Sequence, residues 1–597
     1  MYDASGLRVG TVVDIELNFV KGFSLIVSTQ RRNLSRDSRE LTIEANEITI
    51  VKDSILLQTT REGQRKRCPK CGYGNPMVAR YCRECGTTLA APRNDVAAGK
   101  GSLNISLANG INSVLAFALF ALLPRMLTAV ELGVLAAVTL SYTVFQVLGQ
   151  LGLNLSAASL VSGALVEGVD AARRLLWGFV FLSISLSLVS TIPAYLLAST
   201  LAKLTVRELS ATDAFQFGAI VVLANVLASN LEGVIQGIRD FNLLAKSRVV
   251  GQIVRIAISL VLLFSGYRVL AIIVGAFFGQ YGLVTIAIQI PILLKRFRAV
   301  LPRVGDLIDV IRYSLPLYGV SLLSTITGNL DLAILVARAT TAQVGAYSIV
   351  LTIVNTAALT IALPIQGSLI PLMSKILKEK GRLEETFKIG SRYLSLTAIP
   401  ILFALASSSQ LLMFAVAGSR YREDILPLAI AMFGLIATTF TALINASLQA
   451  HGKNTSMLVA LGLSTVGEAV FGYWAIPLFG LVGAALTRVV QGLIWVGVEL
   501  FLLRSVMRVR VEKPILGRMT LASCSFLIIP LHYFLWNSLL GLGTSCVVAA
   551  VVFLVSLKLL RPFAPADVQL ILGIVPPILN PLAHVLRIQS LANWLTG

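Results

Sequence analysis

Apolar runs that are long enough to cross a bilayer recur through most of this chain of 597 residues. Beginning at Leu103 we count about fourteen of them, each close to the roughly 20 residues that a transmembrane helix requires. A backbone inside the hydrocarbon has to satisfy its own hydrogen bonds, and uninterrupted helices do so. The sequence therefore predicts a mainly α-helical, multi-pass membrane protein. The approximate limits of the predicted spans are 103–124, 130–153, 175–202, 214–237, 249–266, 269–294, 314–337, 343–373, 393–417, 425–450, 454–479, 481–503, 519–537 and 540–560.

The cationic residues are concentrated in alternate loops between these spans. On the predicted limits, the even-numbered loops hold 22 Lys and Arg and the odd-numbered loops hold 7. Loops rich in Lys and Arg stay on the cytoplasmic side, so we expect a cell-membrane protein with both termini in the cytoplasm. The net charge of +20 is explained by the orientation of the protein in the membrane and by attraction to anionic membrane lipids. Nucleic acid is therefore not expected as a partner.

Two Cys-x-x-Cys pairs precede the first span, Cys68 with Cys71 and Cys82 with Cys85, with ten residues between the pairs. Tetrahedral Zn²⁺ takes four thiolates held in this way. Two disulfides are the alternative, but a reducing cytoplasm favours free thiolates. The sequence predicts a zinc ribbon at 61–90, with structural Zn²⁺ as the cofactor. Because four thiolates leave no open coordination position, no catalytic role is expected for the metal.

Short stretches of alternating apolar and polar residues occupy 1–60, as they do in β-strands. β-Branched side chains are frequent there, which favours strands over helices. The pattern resembles a PRC-barrel domain, and this resemblance implies a small all-β barrel that mediates contacts. The residues that carry it are Gly6, Val9-Gly10, Val13-Asp14, 43–48 and 51–57.

The membrane region contains an internal repeat. The segment Arg125–Gly133 resembles Arg338–Gly345, and the two arginines are 213 positions apart. Gln236 and Gln449 close the fourth and tenth spans with the same separation. Six spans per repeat is an even number, so both halves insert with the same orientation, which is one of the known transporter plans. The predicted organisation is a β domain at 1–60, a ribbon at 61–90, a linker at 91–102, two six-helix bundles at 103–300 and 301–505, two additional transmembrane helices at 506–562, and an interfacial or cytoplasmic tail at 563–597.

Four arginines fall within the predicted spans or at their ends, where charge is costly and marks candidate functional residues. Arg255 and Arg488 lie deeper in their spans, and a guanidinium matches the oxygens of a phosphate group. Arg125 and Arg338 end the first and seventh spans. All four are candidate substrate-binding residues. Structural salt bridges for the deeper pair, for example with Glu468, and interface anchoring for the outer pair are the open alternatives.

Two carboxylates, Asp331 and Glu468, also fall within predicted spans. An isolated intramembrane carboxylate can exchange a proton or bind Na⁺, so both are candidates for coupling transport to an ion gradient. A structural ion pair is the alternative. Glu232 and Glu499 are expected to be interfacial, because they lie near cytoplasmic span ends.

Several short segments together carry a likeness to a known family. They are Arg125–Leu127, Glu131–Gly133, Leu315–Tyr318, Asp331–Leu335 and Val344–Ser348. In these segments and in the number of its spans, the chain resembles the polysaccharide flippases of the multidrug/oligosaccharidyl-lipid/polysaccharide exporter (MOP) superfamily.

This resemblance implies two helix bundles in a V around a cationic cavity that opens to alternate sides. It also implies a polyprenyl- or dolichyl-linked saccharide as cargo. The combination of a PRC-like barrel and a zinc ribbon looks archaeal, which favours a dolichyl carrier. The two N-terminal modules could recruit a cytoplasmic glycosyltransferase.

Three other functions remain open from the sequence. A cation-coupled multidrug exporter of the same superfamily would need an acidic cavity, and the arginines argue against it. A membrane glycosyltransferase would need an acidic metal-binding motif, but the loops are short and basic, so a transporter rather than an enzyme is expected. A membrane-tethered scaffold acting through the N-terminal modules would not need so many spans.

Overall fold

A computed structural model describes the backbone of seven strands between Thr11 and Pro76 and of residues 94–563, except 284, 379–382, 510 and 532–538. Side chains are described over 108–563, except 166–167, 280–281, 283–286, 361–383, 454, 510 and 531–540. The chain divides into two compact units, Met1–Leu103 and Asn104–Gly597. The tail predicted at 563–597 lies, beyond its first residue, outside the described residues.

The first unit contains the strands. β1, β2 and β3 form an antiparallel sheet in that order, and β4 pairs with β5 in a separate hairpin. β6 pairs with β7, and the first Cys-x-x-Cys pair stands in the connection between them. Strands therefore form where the sequence alternates, while closure into a barrel stays a prediction. The strands are β1 Thr11–Asn18, β2 Gly22–Thr29, β3 Arg39–Glu44, β4 Ile48–Val51, β5 Ser54–Leu57, β6 Arg65–Arg67 and β7 Gly74–Pro76.

The described part of the second unit consists of helices and the connections between them, and α1 begins ten residues before the boundary of this unit. Its helices are α1 Asn94–Met126, α2 Ala129–Gln150, α3 Leu153–Glu167, α4 Val169–Leu196, α5 Ala198–Thr205, α6 Thr212–Gly237, α7 Phe241–Phe264, α8 Arg268–Gly275, α9 Ile290–Arg296, α10 Val304–Arg338, α11 Thr341–Lys378, α12 Leu383–Ser407, α13 Ser409–Val416, α14 Ile425–Ala450, α15 Asn454–Arg504, α16 Lys513–Ser523 and α17 Leu539–Leu560. Two π-helical segments, Ala276–Leu283 and Thr285–Gln289, connect α8 to α9.

Eleven helical stretches among the described residues are long and apolar enough to cross a membrane. The spans predicted at 454–479 and 481–503 form one of these stretches, α15, which kinks at Gly480 where φ is +55°. The span predicted at 269–294 is divided by the π-helical segments, and the one at 519–537 extends into residues that are not described. A multi-pass membrane protein is confirmed, and the count of fourteen spans stays a prediction.

The helices form two halves, α1–α9 and α10–α15, that meet along α2, α10 and α11. Leu153, Phe179 and Leu231 are fully buried in a core that the first half forms together with Val310 of α10. A larger core extends across both halves and includes Leu132 of α2 and Leu335 of α10.

Helix α10 connects the halves along its length. Near its start, Ser314 Oγ is 2.6 Å from Ser156 Oγ of α3, and near its end, Thr327 hydrogen-bonds Thr465 of α15. Pro316 lies between these two contacts and removes one backbone donor.

Candidate transport cavity

A cavity of about 330 Å³ lies between the two halves. Helices α1, α2, α6, α7 and α8 line it from one side with residues that include Phe120, Tyr142 and Arg255. Helices α10 and α11 line it from the other side with residues that include Asn329 and Asn355. Because each half supplies one wall, a movement of one half against the other would change access to the cavity.

Arg255 carries the one formal charge among the described residues of the cavity wall. It stands near the middle of α7, so its backbone lies deep within a membrane helix. The facing wall presents short polar side chains, among them Ser348, Thr352 and Asn355 of α11. A guanidinium opposite hydroxyl and amide groups can hold an anionic group that also carries hydroxyls.

Arg488, the second deep arginine, lies behind the cavity wall. Its Nε donates to Asp331 Oδ2 at 2.9 Å and its Nη2 to Asp331 Oδ1 at 3.2 Å. Nη2 also donates to the Gly328 carbonyl at 3.1 Å, and Nη1 donates to Asn355 at 3.4 Å. The structure therefore joins two residues that the sequence had assigned separately, to substrate and to ion coupling. Through Asn355, this ion pair is adjacent to the cavity.

A wider polar network surrounds this ion pair. The Tyr347 hydroxyl donates to Asp331 Oδ2 at 2.7 Å, and both side chains are completely buried. Glu468 of α15 interacts electrostatically with Asp331 and Arg488. Its side chain is 1% exposed, and its Oε2 has no hydrogen-bond partner among the described residues. Two carboxylates thus surround one guanidinium in the C-terminal half.

The two outer arginines make contacts away from the described cavity wall. Arg125 at the end of α1 donates to the Ala415 carbonyl of α13 at 2.5 Å. Arg338 at the end of α10 lies over the ring of Tyr473, with its guanidinium carbon 4.9 Å from the ring centroid. Both residues therefore contact other helices at these helix ends, while substrate binding and anchoring at the membrane interface stay predictions.

The repeat found in the sequence appears in the structure as a reciprocal contact. Thr128 and Glu131 form a capping box at the start of α2, and Thr340 and Gln343 make the same contacts at the start of α11. Gly133 lies two residues after Glu131, and Gly345 lies two residues after Gln343.

These two glycines hold the starts of α2 and α11 together. A Cβ on Gly133 would lie 1.9 Å from the Thr341 carbonyl oxygen, and a Cβ on Gly345 would lie 1.9 Å from that of Ala129. Arg207 adds a hydrogen bond to the Ala337 carbonyl at 3.4 Å. The two halves therefore meet by backbone packing beside Leu132 of the cavity wall, and only glycine permits so close an approach.

The sequence did not predict the side-chain contacts of Glu499 and Glu232, which were expected only to lie at the membrane interface. Glu499 is fully buried within the protein and accepts a hydrogen bond from Trp495 Nε1 at 2.7 Å, while its expected position near the membrane interface stays a prediction. The sequence signal for this contact is Trp495, which lies four residues before Glu499 and therefore on the same face of the helix. Glu232 is half-buried and pairs with Arg248 at 2.7 Å.

No cluster of three or more metal-binding side chains occurs among the residues that the structure describes. The four cysteines of the predicted ribbon lie outside that part of the chain. Residues 67–89 match the zinc-ribbon domain family, and this segment contains both Cys-x-x-Cys pairs. Four thiol donors in two close pairs fit a tetrahedral Zn²⁺ site.

Residues 98–377, which include most of the cavity wall, match the family described as polysaccharide biosynthesis protein. The match covers the N-terminal part of the membrane region, slightly less than half of the chain. The fold of the membrane region is shared with solved transporters of the MOP superfamily. No curated protein sequence matches the chain.

The structure of the lipid II flippase MurJ in an inward closed conformation aligns with a TM-score of 0.64. The alignment covers 76% of this chain and 98% of MurJ, at 13% identity. The structure of a multidrug resistance MATE family transporter of the MOP superfamily, in an inward-facing conformation, aligns with a TM-score of 0.55. The alignment covers 67% of this chain and 94% of the MATE transporter, at 17% identity. At such identities the likeness shows that the fold is shared, and it shows the fold alone.

Proposed function

We propose that this protein flips a lipid-linked oligosaccharide or polysaccharide precursor across the cell membrane by alternating access. The observation that carries the proposal is a cavity walled by both halves and lined by one arginine, beside the backbone contact at Gly133 and Gly345. The family match at 98–377 and the fold shared with a lipid II flippase support a saccharide-carrying lipid as the cargo.

The proposed cargo has an apolar tail and a charged, hydroxylated headgroup. The tail can remain in the bilayer, whereas the headgroup needs a polar passage, because charge is costly in hydrocarbon. Arg255 would bind the phosphate groups, and the polar side chains of α11 would bind adjacent hydroxyls. No covalent bond is made or broken, so no nucleophile is required.

The cavity wall disfavours the alternative function, export of organic cations. Such a substrate would be attracted by a carboxylate, and the described wall residues include none. Asp331 is behind the wall and is already paired with Arg488. The charge of the cavity is therefore suited to an anionic cargo.

Glu468 is the proposed coupling residue, and Asp331 acts through it. Asp331 and Arg488 neutralise each other, which leaves the Glu468 carboxylate without a dedicated counter-charge. An ionised carboxylate in that setting is costly unless a proton or a cation joins it. Exchange of that ion would change the charge beside the cavity wall at Asn355, which Arg488 contacts.

The N-terminal modules are proposed to lie in the cytoplasm, where the lipid-linked precursor is assembled. This orientation follows from the excess of Lys and Arg in the even-numbered loops. Zn²⁺ bound by Cys68, Cys71, Cys82 and Cys85 would hold the ribbon in a fixed shape for binding a glycosyltransferase.

The test is a flipping assay with the full chain reconstituted in vesicles that contain a polyprenyl-pyrophosphoryl oligosaccharide. Wild type and Arg255→Lys are expected to expose the sugar to an external enzyme or lectin, and Arg255→Ala is expected to be at least about tenfold slower. Arg173→Ala is the matched control, because Arg173 pairs with Asp170 outside the cavity. Wild-type vesicles that move no lipid-linked sugar would overturn the proposal.

A further inference from the structure

A regular series of contacts between α2–α3 and α6 leads away from the cavity. Tyr142 and Val221 both line the cavity and are 79 positions apart in the sequence. The next pair at the same separation is Gln146 with Asn225, where Asn225 Nδ2 donates to Gln146 Oε1 at 2.9 Å. Each further pair follows four residues later, about one helical turn along.

The series continues toward the ends of both helices. Gln150 Nε2 donates to Ser229 Oγ at 3.0 Å, again across 79 positions. A Cβ on Gly233 would then lie 2.3 Å from the Asn154 carbonyl oxygen, so the backbones touch at the last pair. We call Gln146, Gln150, Asn225 and Ser229 the amide ladder.

The ladder continues the wall of the cavity on α2. Ala136 and Thr139 of α2 line the cavity. In a helix with 3.6 residues per turn, Gln146 and Gln150 lie seven and eleven positions after Thr139, within about 20° of the same face. The cavity wall and the ladder are therefore one stripe of α2, apolar at its start and polar toward its end.

The other helices of the first half show the same change along their length. Near the contact at Gly133 and Gly345 the wall is apolar, with Leu123 of α1 and Leu132 of α2. Toward the opposite end of the half, Arg248 of α7 pairs with Glu232 of α6 at 2.7 Å and donates to Asn109 of α1 at 2.8 Å. Polar groups are thus concentrated in the part that the distribution of Lys and Arg among the loops predicts to lie toward the cytoplasm.

We propose that the amide ladder binds the sugar hydroxyls of the headgroup. This inference rests on the proposed function and adds to it the recognition of the saccharide, as distinct from the pyrophosphate.

The chemistry of amides fits a hydroxylated ligand. An amide both donates and accepts hydrogen bonds, and so does a hydroxyl. The Gln146–Asn225 bond uses one N–H and one oxygen, and no other hydrogen bond among the described residues engages Gln146 Nε2 or Asn225 Oδ1. A ligand can therefore add to the pair without breaking it. Because the ladder carries no charge, it binds the part of the headgroup that Arg255 does not.

Polar contacts that only hold membrane helices together are the competing explanation. Asn230 separates the two explanations, because it lies five residues after Asn225 and about 140° around α6. It is an equally buried amide of the same helix, and its side chain has no hydrogen-bond partner among the described residues. The substitution Asn230→Ala therefore removes a buried amide from between the helices and leaves the ladder intact.

The experiment measures binding of two probes to the purified full chain. One probe is a polyprenyl-pyrophosphoryl oligosaccharide, and the other is the same polyprenyl pyrophosphate without sugar. Gln146→Ala and Asn225→Ala are expected to weaken binding of the first probe about tenfold, as expected when one or two hydrogen bonds to the ligand are lost, and to leave the second unchanged. Asn230→Ala is expected to change neither, and Arg255→Ala is expected to weaken both.

Three results would overturn the proposal in different ways. If Asn225→Ala weakens both probes equally, or neither, the ladder is structural. If wild type binds both probes with the same affinity, the saccharide is not recognised. The proposed flippase function would then still stand, with binding of the pyrophosphate alone. If wild type binds neither probe, the proposed function fails together with the ladder.

Discussion

The guanidinium of Arg488 on α15 donates hydrogen bonds to both carboxylate oxygens of Asp331 on α10, whose side chain is completely buried. This paired geometry fixes the relative position of two helices in the C-terminal half. Removal of Arg488 leaves the buried Asp331 carboxylate without its guanidinium, and removal of Asp331 leaves Arg488 with the more weakly interacting Glu468.

The first prediction concerns this ion pair. Arg488→Gln and Asp331→Asn alone are each expected to lower the free energy of unfolding by about 3–5 kcal/mol, because a buried charge loses its partner. The double variant Asp331→Asn/Arg488→Gln is expected to recover most of that loss. Thermal unfolding in detergent gives the three values. Additive losses in the double variant would show that the two side chains do not interact.

How far the sequence predicts this site differs from residue to residue. Arg255 was found because charge in an apolar run is rare, and that rule depends only on local sequence. The partner of Arg488 could not be found in the same way. Asp331 is 157 positions away, and several carboxylates were equally available from the sequence.

The fold shows the same division between local and distant features. The spans and the repeat were predicted, because length, apolarity and capping residues are local. The contact between Gly133 and Gly345 was not predicted, although both glycines lie in the repeated segments, because the close approach of two backbones leaves no periodic signal.

The second prediction concerns ion coupling. Glu468→Gln keeps the shape of the side chain and removes its charge, so flipping in vesicles should lose its dependence on an imposed proton or sodium gradient. The rate without a gradient should change less than about threefold. Glu499→Gln is the comparison, because Glu499 is another fully buried carboxylate of α15. Loss of gradient dependence in Glu499→Gln alone would transfer the coupling role to that residue.

The third prediction concerns the ribbon. The purified chain should contain about one Zn²⁺ per molecule, since four thiolates complete one tetrahedral site. Cys68→Ser/Cys71→Ser should remove the metal, while Cys524→Ser/Cys546→Ser should retain it. Metal content by mass spectrometry of the intact protein decides the matter, and retention of zinc in the first variant would exclude these ligands.

The last prediction is that the contact at Gly133 and Gly345 closes one end of the cavity. In Gly345→Ala the new methyl group would occupy the place of the Ala129 carbonyl oxygen, so α2 and α11 must separate. A reporter, Leu132→Cys, lines the cavity beside this contact in a background with Cys524→Ser and Cys546→Ser. Labelling by an impermeant maleimide added on the side of this end should become about tenfold faster, which corresponds to a shift of about 1.4 kcal/mol toward the open form.

The control for this prediction is Gly319→Ala in α10, where an added Cβ meets no atom within 4 Å. Its labelling rate should equal that of the parent. If Gly345→Ala also labels at the parent rate, the glycine contact does not close the cavity, and access must be controlled elsewhere along α2 and α11. If both variants label faster, loosening of the whole helix bundle explains the effect, and the reciprocal contact has no specific part in it. A faster rate in Gly345→Ala alone assigns closure of this end to two backbones that only glycine allows to meet.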